Sequence, residues 1–138
     1  MRLWRSAASE RDVAAEAGEI LDRVSLADRG PAEAGTLAHG EKRKLEIGLL
    51  LAARPKVMLL DEPMAGVSAE EVPALVDVVR GLTHGEQSVL MVEHHMDVVL
   101  DLADRVAVMH HGTLLVCDTP AVVMANRTVQ EAYLGEEL

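Results

Sequence analysis

Val57-Met58-Leu59-Leu60-Asp61-Glu62-Pro63 decides how this 138-residue chain is read. Four apolar residues run without alternation and end in two acids. A short, continuous apolar run fits a strand buried on both faces, the pattern of a parallel sheet covered by helices. Acids at the carboxyl end of such a strand face the crevice where α/β proteins hold ligands. Asp61 is placed to hold Mg²⁺, directly or through water. Glu62 is placed to orient or activate a water attacking a phosphoryl group. Taken alone, the stretch reads equally well as a strand that ends in solvent-facing acids.

Working outward toward the C-terminus, Ser68-Ala69-Glu70-Glu71 reads as a capping box that opens a helix running to about Leu82. Pro73 is tolerable in the first turn of that helix but slightly late in it. His84-Gly85 breaks the chain, and Ser88-Val89-Leu90-Met91-Val92 is a second buried strand. A helix over about Met96–Ala103 comes next. Val106–Met109 and Thr113–Val116 then flank His110-His111-Gly112, a hairpin signal with Gly in the turn. The tail from about Ala121 to Leu134 reads as one more helix. Toward the N-terminus, Glu41–Ala53 reads as a helix with Leu45, Leu49 and Ala52 on one stripe, closed by Pro55. Gly30, Pro31 and Gly35 mark a loop, and residues 9–24 space Val13, Ala17, Ile20, Leu21 and Val24 as an amphipathic helix. Strands alternating with helices predict a parallel α/β sheet.

Two further clusters carry chemistry. Leu37-Ala38-His39-Gly40-Glu41 stands directly before a helix. Gly40 permits close approach of the backbone, and a helix N-terminus offers free N–H groups and a positive dipole end, which together suit an anion. The same stretch also reads as an ordinary N-terminal turn. Val92-Glu93-His94-His95 comes directly after the second strand, where a histidine beside the acids of the neighbouring strand could donate a hydrogen bond to a terminal phosphate. A plain surface histidine pair is the alternative. A metal site at His94-His95 or His110-His111 is the least favoured alternative, since neither pair has Cys or clustered carboxylates at ligand spacing.

Composition narrows the function classes. Hydrophobic residues make up 49% and aromatics 1%, so the core is aliphatic. The net charge of −10 comes entirely from residues 55–138, with four basic and fourteen acidic side chains; residues 1–54 balance at nine of each. An acidic surface repels phosphate backbones and argues against a nucleic-acid partner. The basic run Lys42-Arg43-Lys44 is short and reads as a solvated helix face. A single cysteine, Cys117, allows no internal disulfide. No secretory signal is visible, and no apolar run reaches the roughly 18 residues of a membrane span. A membrane role would therefore come through a partner protein.

In this order the three clusters resemble the C-terminal half of ABC-type nucleotide-binding subunits. Leu37–Glu41 is similar to the signature motif, Val57–Glu62 to the Walker B strand, Ala65-Gly66-Val67-Ser68 to the D-loop, and His94 to the switch histidine. The stretch Gly40–Gly48, the segment Val92–Met96 and the ending Val129–Gly135 resemble the ATP subunits of branched-chain amino-acid importers, a pattern shared with urea and short-amide importers. The resemblance implies an α/β fold: part of a P-loop NTPase-type parallel sheet with flanking helices. Residues 1–53 would form part of the helical, signature-bearing subdomain, and residues 54–138 the part from Walker B to the C-terminal helix.

The resemblance also implies site roles. Asp61 would bind Mg²⁺, Glu62 would be the catalytic carboxylate and His94 would contact the γ-phosphate of ATP. Ala38, His39, Gly40 and Glu41 would meet the nucleotide of a second ATP-binding subunit, with Ser68 at the dimer seam. The pair would drive a transmembrane permease from the cytoplasmic face of the membrane. Three departures qualify this. No G-x-x-x-x-G-K-[ST] phosphate loop occurs in the 138 residues, so no backbone nest and lysine cradle a nucleotide's phosphates. A truncated product, fragment or mis-set start codon is the expectation, with apolar sheet surface and open edges left exposed. Ala38 stands where the family usually has Ser, and Ser68 where many members have Asp.

Overall fold

A computed structural model describes residues 7–83 and 87–134, with the side chains of 11–83 and 87–132. The expected break at His84-Gly85 and the Gly135 of the final motif lie outside the described residues. The chain divides into two compact units, residues 1–93 and 94–138.

The first unit runs α1 (Ala7–Arg23), two 3-10 turns (Ala27–Arg29 and Ala34–Thr36), α2 (His39–Ala52), β1 (Val57–Asp61), α3 (Val72–Thr83) and β2 (Ser88–Val92). β1 and β2 pair in parallel, from Val57 opposite Ser88 to Asp61 opposite Val92. Parallel neighbours need a crossover, and α3 supplies it. Its buried stripe of Leu75, Val76, Val78, Val79 and Leu82 explains why this segment is a helix that packs. Pro73 falls at the second position of α3, inside the first turn, where its missing N–H has no helical partner to lose.

Three expectations for this unit are corrected. β1 is not buried on both faces: Met58 and Leu60 are buried, whereas Val57 and Leu59 are exposed, Leu59 at 71%. On β2, Leu90 and Val92 are exposed as well. Two strands with helices against one side leave the other side bare, so an apolar pattern made for two covered faces is half satisfied. The buried stripe of α2 is Ile47, Gly48 and Leu51, not Leu45, Leu49 and Ala52. Gly48 explains the choice, because a Cβ there would come within 3.3 Å of the Ile20 side chain on α1. A residue without Cβ lets the two helices approach closely along that stripe. Ser68 does not cap α3 as a box: its hydroxyl donates to the Glu71 carboxylate at 2.8 Å, and residues 69–71 form a turn before the helix starts at Val72.

The second unit runs α4 (Met96–Leu102), β3 (Val106–His110), β4 (Thr113–Asp118), α5 (Pro120–Met124) and α6 (Arg127–Leu134). β3 and β4 form the expected antiparallel hairpin. His111 and Gly112, at φ 47° and 75°, make its two-residue turn, the backbone that matches the twist of paired strands. Val106 and Val108 point into an aliphatic cluster with Val123 and Val129. The single tail helix is corrected to two. Asn126 ends the first and starts the second, its side-chain oxygen accepting the Thr128 N–H at 2.9 Å and the Val129 N–H at 3.3 Å. Among the described residues no helix is long and apolar enough to cross a membrane.

Candidate functional site

The carboxyl end of β1 is built by its pairing with β2. The ladder extends one residue past the strand, with the Glu62 N–H donating to the Val92 carbonyl at 2.9 Å. Glu62 then turns the chain in a left-handed conformation at φ 43°, and its carbonyl accepts the Ala65 N–H at 3.0 Å. The conformation is sparsely populated for a non-glycine residue and needs support. The support comes from Pro63 and Met64, both buried, and from Glu93, whose carboxylate accepts the Met64 N–H at 2.9 Å. Asp61 and Glu62 are exposed at this strand end. Asp61 offers carboxylate oxygens, the donor type a hard divalent cation takes.

His94 and His95 come after Glu93 and open the second unit, both exposed, with ring centroids 4.4 Å apart. His95 precedes the first residue of α4 without capping it through its side chain.

The turn before α2 is more closely held than its sequence suggests. Ala38 is the N-cap residue, in extended backbone (φ −63°, ψ 165°) that suits a cap. Its methyl group accepts no hydrogen bond, so only half of a capping box exists: the Glu41 carboxylate reaches back to accept the Ala38 N–H at 2.9 Å. The other Glu41 oxygen accepts from Arg29 at 2.7 Å. The Ala38 N–H and the Arg29 guanidinium together hold the Glu41 carboxyl below its ordinary range.

Two glycine contacts bring this turn against the 65–71 loop. A Cβ at Gly40 would lie 2.7 Å from the nearer Glu71 oxygen and 3.2 Å from the Glu71 Cβ, so glycine is what lets Glu71 pack there. A Cβ at Gly66, which already has φ 74°, would lie 3.1 Å from Nε2 of His39. His39, Gly40, Gly66 and the Ser68–Glu71 pair thus form one assembly within the first unit. Sequence reasoning found His39, Gly40 and Ser68, read Glu71 only as the local capping partner of Ser68, and gave Glu93 and Arg29 no role. Their partners lie 12 to 31 residues away or across a turn, where no local pattern signals them.

A cleft between α2 and β1, lined by Arg43, Glu46, Leu50, Leu59 and Asp61 among others, has a volume of about 160 Å³. That is well under the roughly 300–1,000 Å³ of pockets that enclose small ligands.

A family model described as "ABC transporter" matches residues 2–65, and one described as "Branched-chain amino acid ATP-binding cassette transporter" matches residues 113–138. The chain is 36% identical over 129 residues to the high-affinity branched-chain amino acid transport ATP-binding protein BraF of Pseudomonas aeruginosa, covering 93% of this chain and 51% of that protein. It is 36% identical over 117 residues to the corresponding protein LivG of Escherichia coli, covering 84% and 46%. Among solved structures, the ADP conformation of MJ1267, an ATP-binding cassette of an ABC transporter, superposes with a TM-score of 0.79 at 29% identity over 90% of this chain and 50% of that one. The chain spans about half the length of the curated relatives it matches.

Proposed function

We propose, from the premise that this chain belongs to the ATP-binding cassette family of ABC transporters, that it is the signature- and Walker B-bearing part of the ATP subunit of an importer for branched-chain amino acids. The observation that carries this reading is the parallel β1–β2 register. It sets two exposed acids at a strand's carboxyl end, on a backbone held left-handed at Glu62.

In this reading Asp61 holds Mg²⁺, and Glu62 orients the water that attacks the γ-phosphoryl group. His94 donates to the γ-phosphate. Ala38, His39, Gly40 and Glu41 present the amino end of α2 to the nucleotide of a second ATP-binding subunit, and Ser68 lies at the seam. Bound ATP supplies the transferable phosphoryl group and the charge that draws the two subunits together. Their closing drives permease subunits in the membrane, which makes the chain a peripheral component on the cytoplasmic face. Residues 1–53 carry the signature turn, and residues 54–138 carry the Walker B strand and the elements from there to the C-terminal helix. The bare face of Val57, Leu59, Leu90 and Val92 fits burial against further elements of such a cassette.

A second reading rests on the absence of a G-x-x-x-x-G-K-[ST] loop in these 138 residues. The chain then supplies only its signature turn to a nucleotide held by another subunit. Calorimetry with Mg-ATP tests both. No binding by the chain alone up to millimolar nucleotide is the expected result. Recovery of ATP turnover on mixing with a phosphate-loop-bearing partner, lost on Glu62→Gln in this chain, supports the first reading. Turnover that survives Glu62→Gln supports the second. Micromolar binding and hydrolysis by the chain alone would overturn the dependence on a partner.

A further inference from the structure

The turn at 38–41 has a structural problem that its own sequence leaves open. A helix start leaves backbone N–H groups without helical partners, and a Ser, Thr, Asp or Asn at the N-cap usually satisfies one. Ala38 satisfies none. The side chain that holds the turn's backbone is instead Glu41, through the Ala38 N–H. Glu41 is a half-buried carboxylate on a flexible stem, and one hydrogen bond would leave it several rotamers.

Arg29 removes that freedom. It sits in the 3-10 turn Ala27–Arg29, whose backbone is pinned from both sides. The Arg29 N–H donates to the Leu26 carbonyl at 2.9 Å, the Arg29 carbonyl accepts from Ala32 at 2.8 Å, and Leu26 itself is buried. From this fixed base Nε of Arg29 donates to Glu41 at 2.7 Å. One carboxylate oxygen is therefore committed to the guanidinium and the other to the Ala38 N–H. We infer that Arg29 is a positioning residue for the signature turn: it locks the Glu41 carboxylate onto the Ala38 amide and so secures the one half of the capping box that remains where Ala38 cannot provide the other. Glu41 in turn holds the turn rather than reaching out of it. The relevance to nucleotide contact rests on the cassette reading above; the lock itself does not.

The ion pair is surface-lying, with Arg29 57% and Glu41 21% exposed. Exposed pairs add little to global stability, so the lock acts on the geometry of one turn. Its sign with pH comes from the depressed carboxyl of Glu41. The lock is complete above the ordinary carboxylate range and is lost as pH falls through the lower folded value. The charged groups around Glu41 are Arg29 from the 3-10 turn, Lys44 from the next turn of α2, and Glu71, which lies against Gly40 and bonds to Ser68.

The test is an NMR pH titration of the Ala38 amide proton in the full 138-residue chain, without nucleotide. An amide bonded to a titrating carboxylate moves with it. In the unaltered chain the Ala38 proton is expected to titrate with a midpoint below the ordinary carboxylate range. Arg29→Met raises the midpoint toward that range, and Arg29→Lys, which restores the charge, recovers part of the depression. Glu41→Gln abolishes the step, which assigns it to this carboxylate. An Ala38 proton that does not titrate, or a midpoint unmoved by Arg29→Met, overturns the inference. Neither result depends on ATP, so failure here is distinct from failure of the cassette reading.

Discussion

The two sheets of this molecule differ in how much large aliphatic surface they leave uncovered. In the β3–β4 hairpin the pattern Val106-Ala107-Val108-Met109 alternates in burial, and both valines close on Val123 and Val129 from the tail helices. In the β1–β2 pair, Val57-Met58-Leu59-Leu60 is apolar at every position, yet only Met58 and Leu60 are covered. Each sheet has helices on one side. The hairpin's outward side carries less apolar bulk: Ala107 is small, and the cross-strand pair Met109 and Leu114 is exposed. The parallel pair carries four large aliphatic side chains outward, Val57, Leu59, Leu90 and Val92. Contiguous exposed apolar surface of that kind marks a face made for burial.

The sharpest way to break this contrast is to truncate adjacent residues of one strand. Leu60→Ala removes a side chain that is 6% exposed and should cost about 2–5 kcal/mol. Leu59→Ala, its neighbour on the bare face, should change stability by no more than about 0.5 kcal/mol. Urea denaturation of the two variants compares them directly. Equal losses would mean that both faces of β1 are covered in solution, and the contrast with the hairpin would vanish.

A finer comparison uses one glycine from each unit. Gly66 and Gly112 both have left-handed backbone, at φ 74° and 75°. A Cβ at Gly112 would meet nothing within 4 Å, whereas at Gly66 it would press on His39. Gly112→Ala should cost about 1–2 kcal/mol, the backbone penalty alone. Gly66→Ala should cost the same plus the contact, and His39→Ala in that background should return the difference. If Gly66→Ala and Gly112→Ala cost equally, the loop and the turn before α2 do not press on one another.

Most of the fold was legible because its signals are local. Unbroken apolar runs located β1 and β2, alternation with helices predicted their parallel pairing, and Gly112 placed the hairpin turn. What the sequence could not decide was choice among equivalent patterns. Both Leu45-Leu49-Ala52 and Ile47-Gly48-Leu51 are helical stripes of α2, and periodicity cannot rank them. The close approach of Ile20 and Val24 to Gly48 decides it, and that contact spans more than twenty residues of chain. The same holds for the site. Asp61, Glu62 and the turn at 38–41 announced themselves by position on their elements. Glu71 against Gly40 and Glu93 on the Met64 amide are tertiary contacts with no local signature. The tail was misread for another reason: the apolar spacing runs through Asn126, and only its cap bonds reveal the break.

The smallest effect concerns that same device, present in one unit and absent from the other. α6 begins under a side-chain cap from Asn126, while α2 begins under Ala38 with none. Asn126→Ala should therefore cost about 1 kcal/mol, and Ala38→Ser should add about 1 kcal/mol, since Ala38 already has the extended backbone a cap requires. Thermal unfolding of each variant measures the change. The gain at Ala38 is expected with or without the Glu41 carboxylate, because Glu41 serves the Ala38 N–H and a serine hydroxyl would serve the Glu41 N–H. A serine that adds its full increment in the Glu41→Gln background, but less in the unaltered chain, would show the two devices competing to hold one turn. A full increment in both would show that they serve different N–H groups, as the reciprocal geometry of a capping box requires.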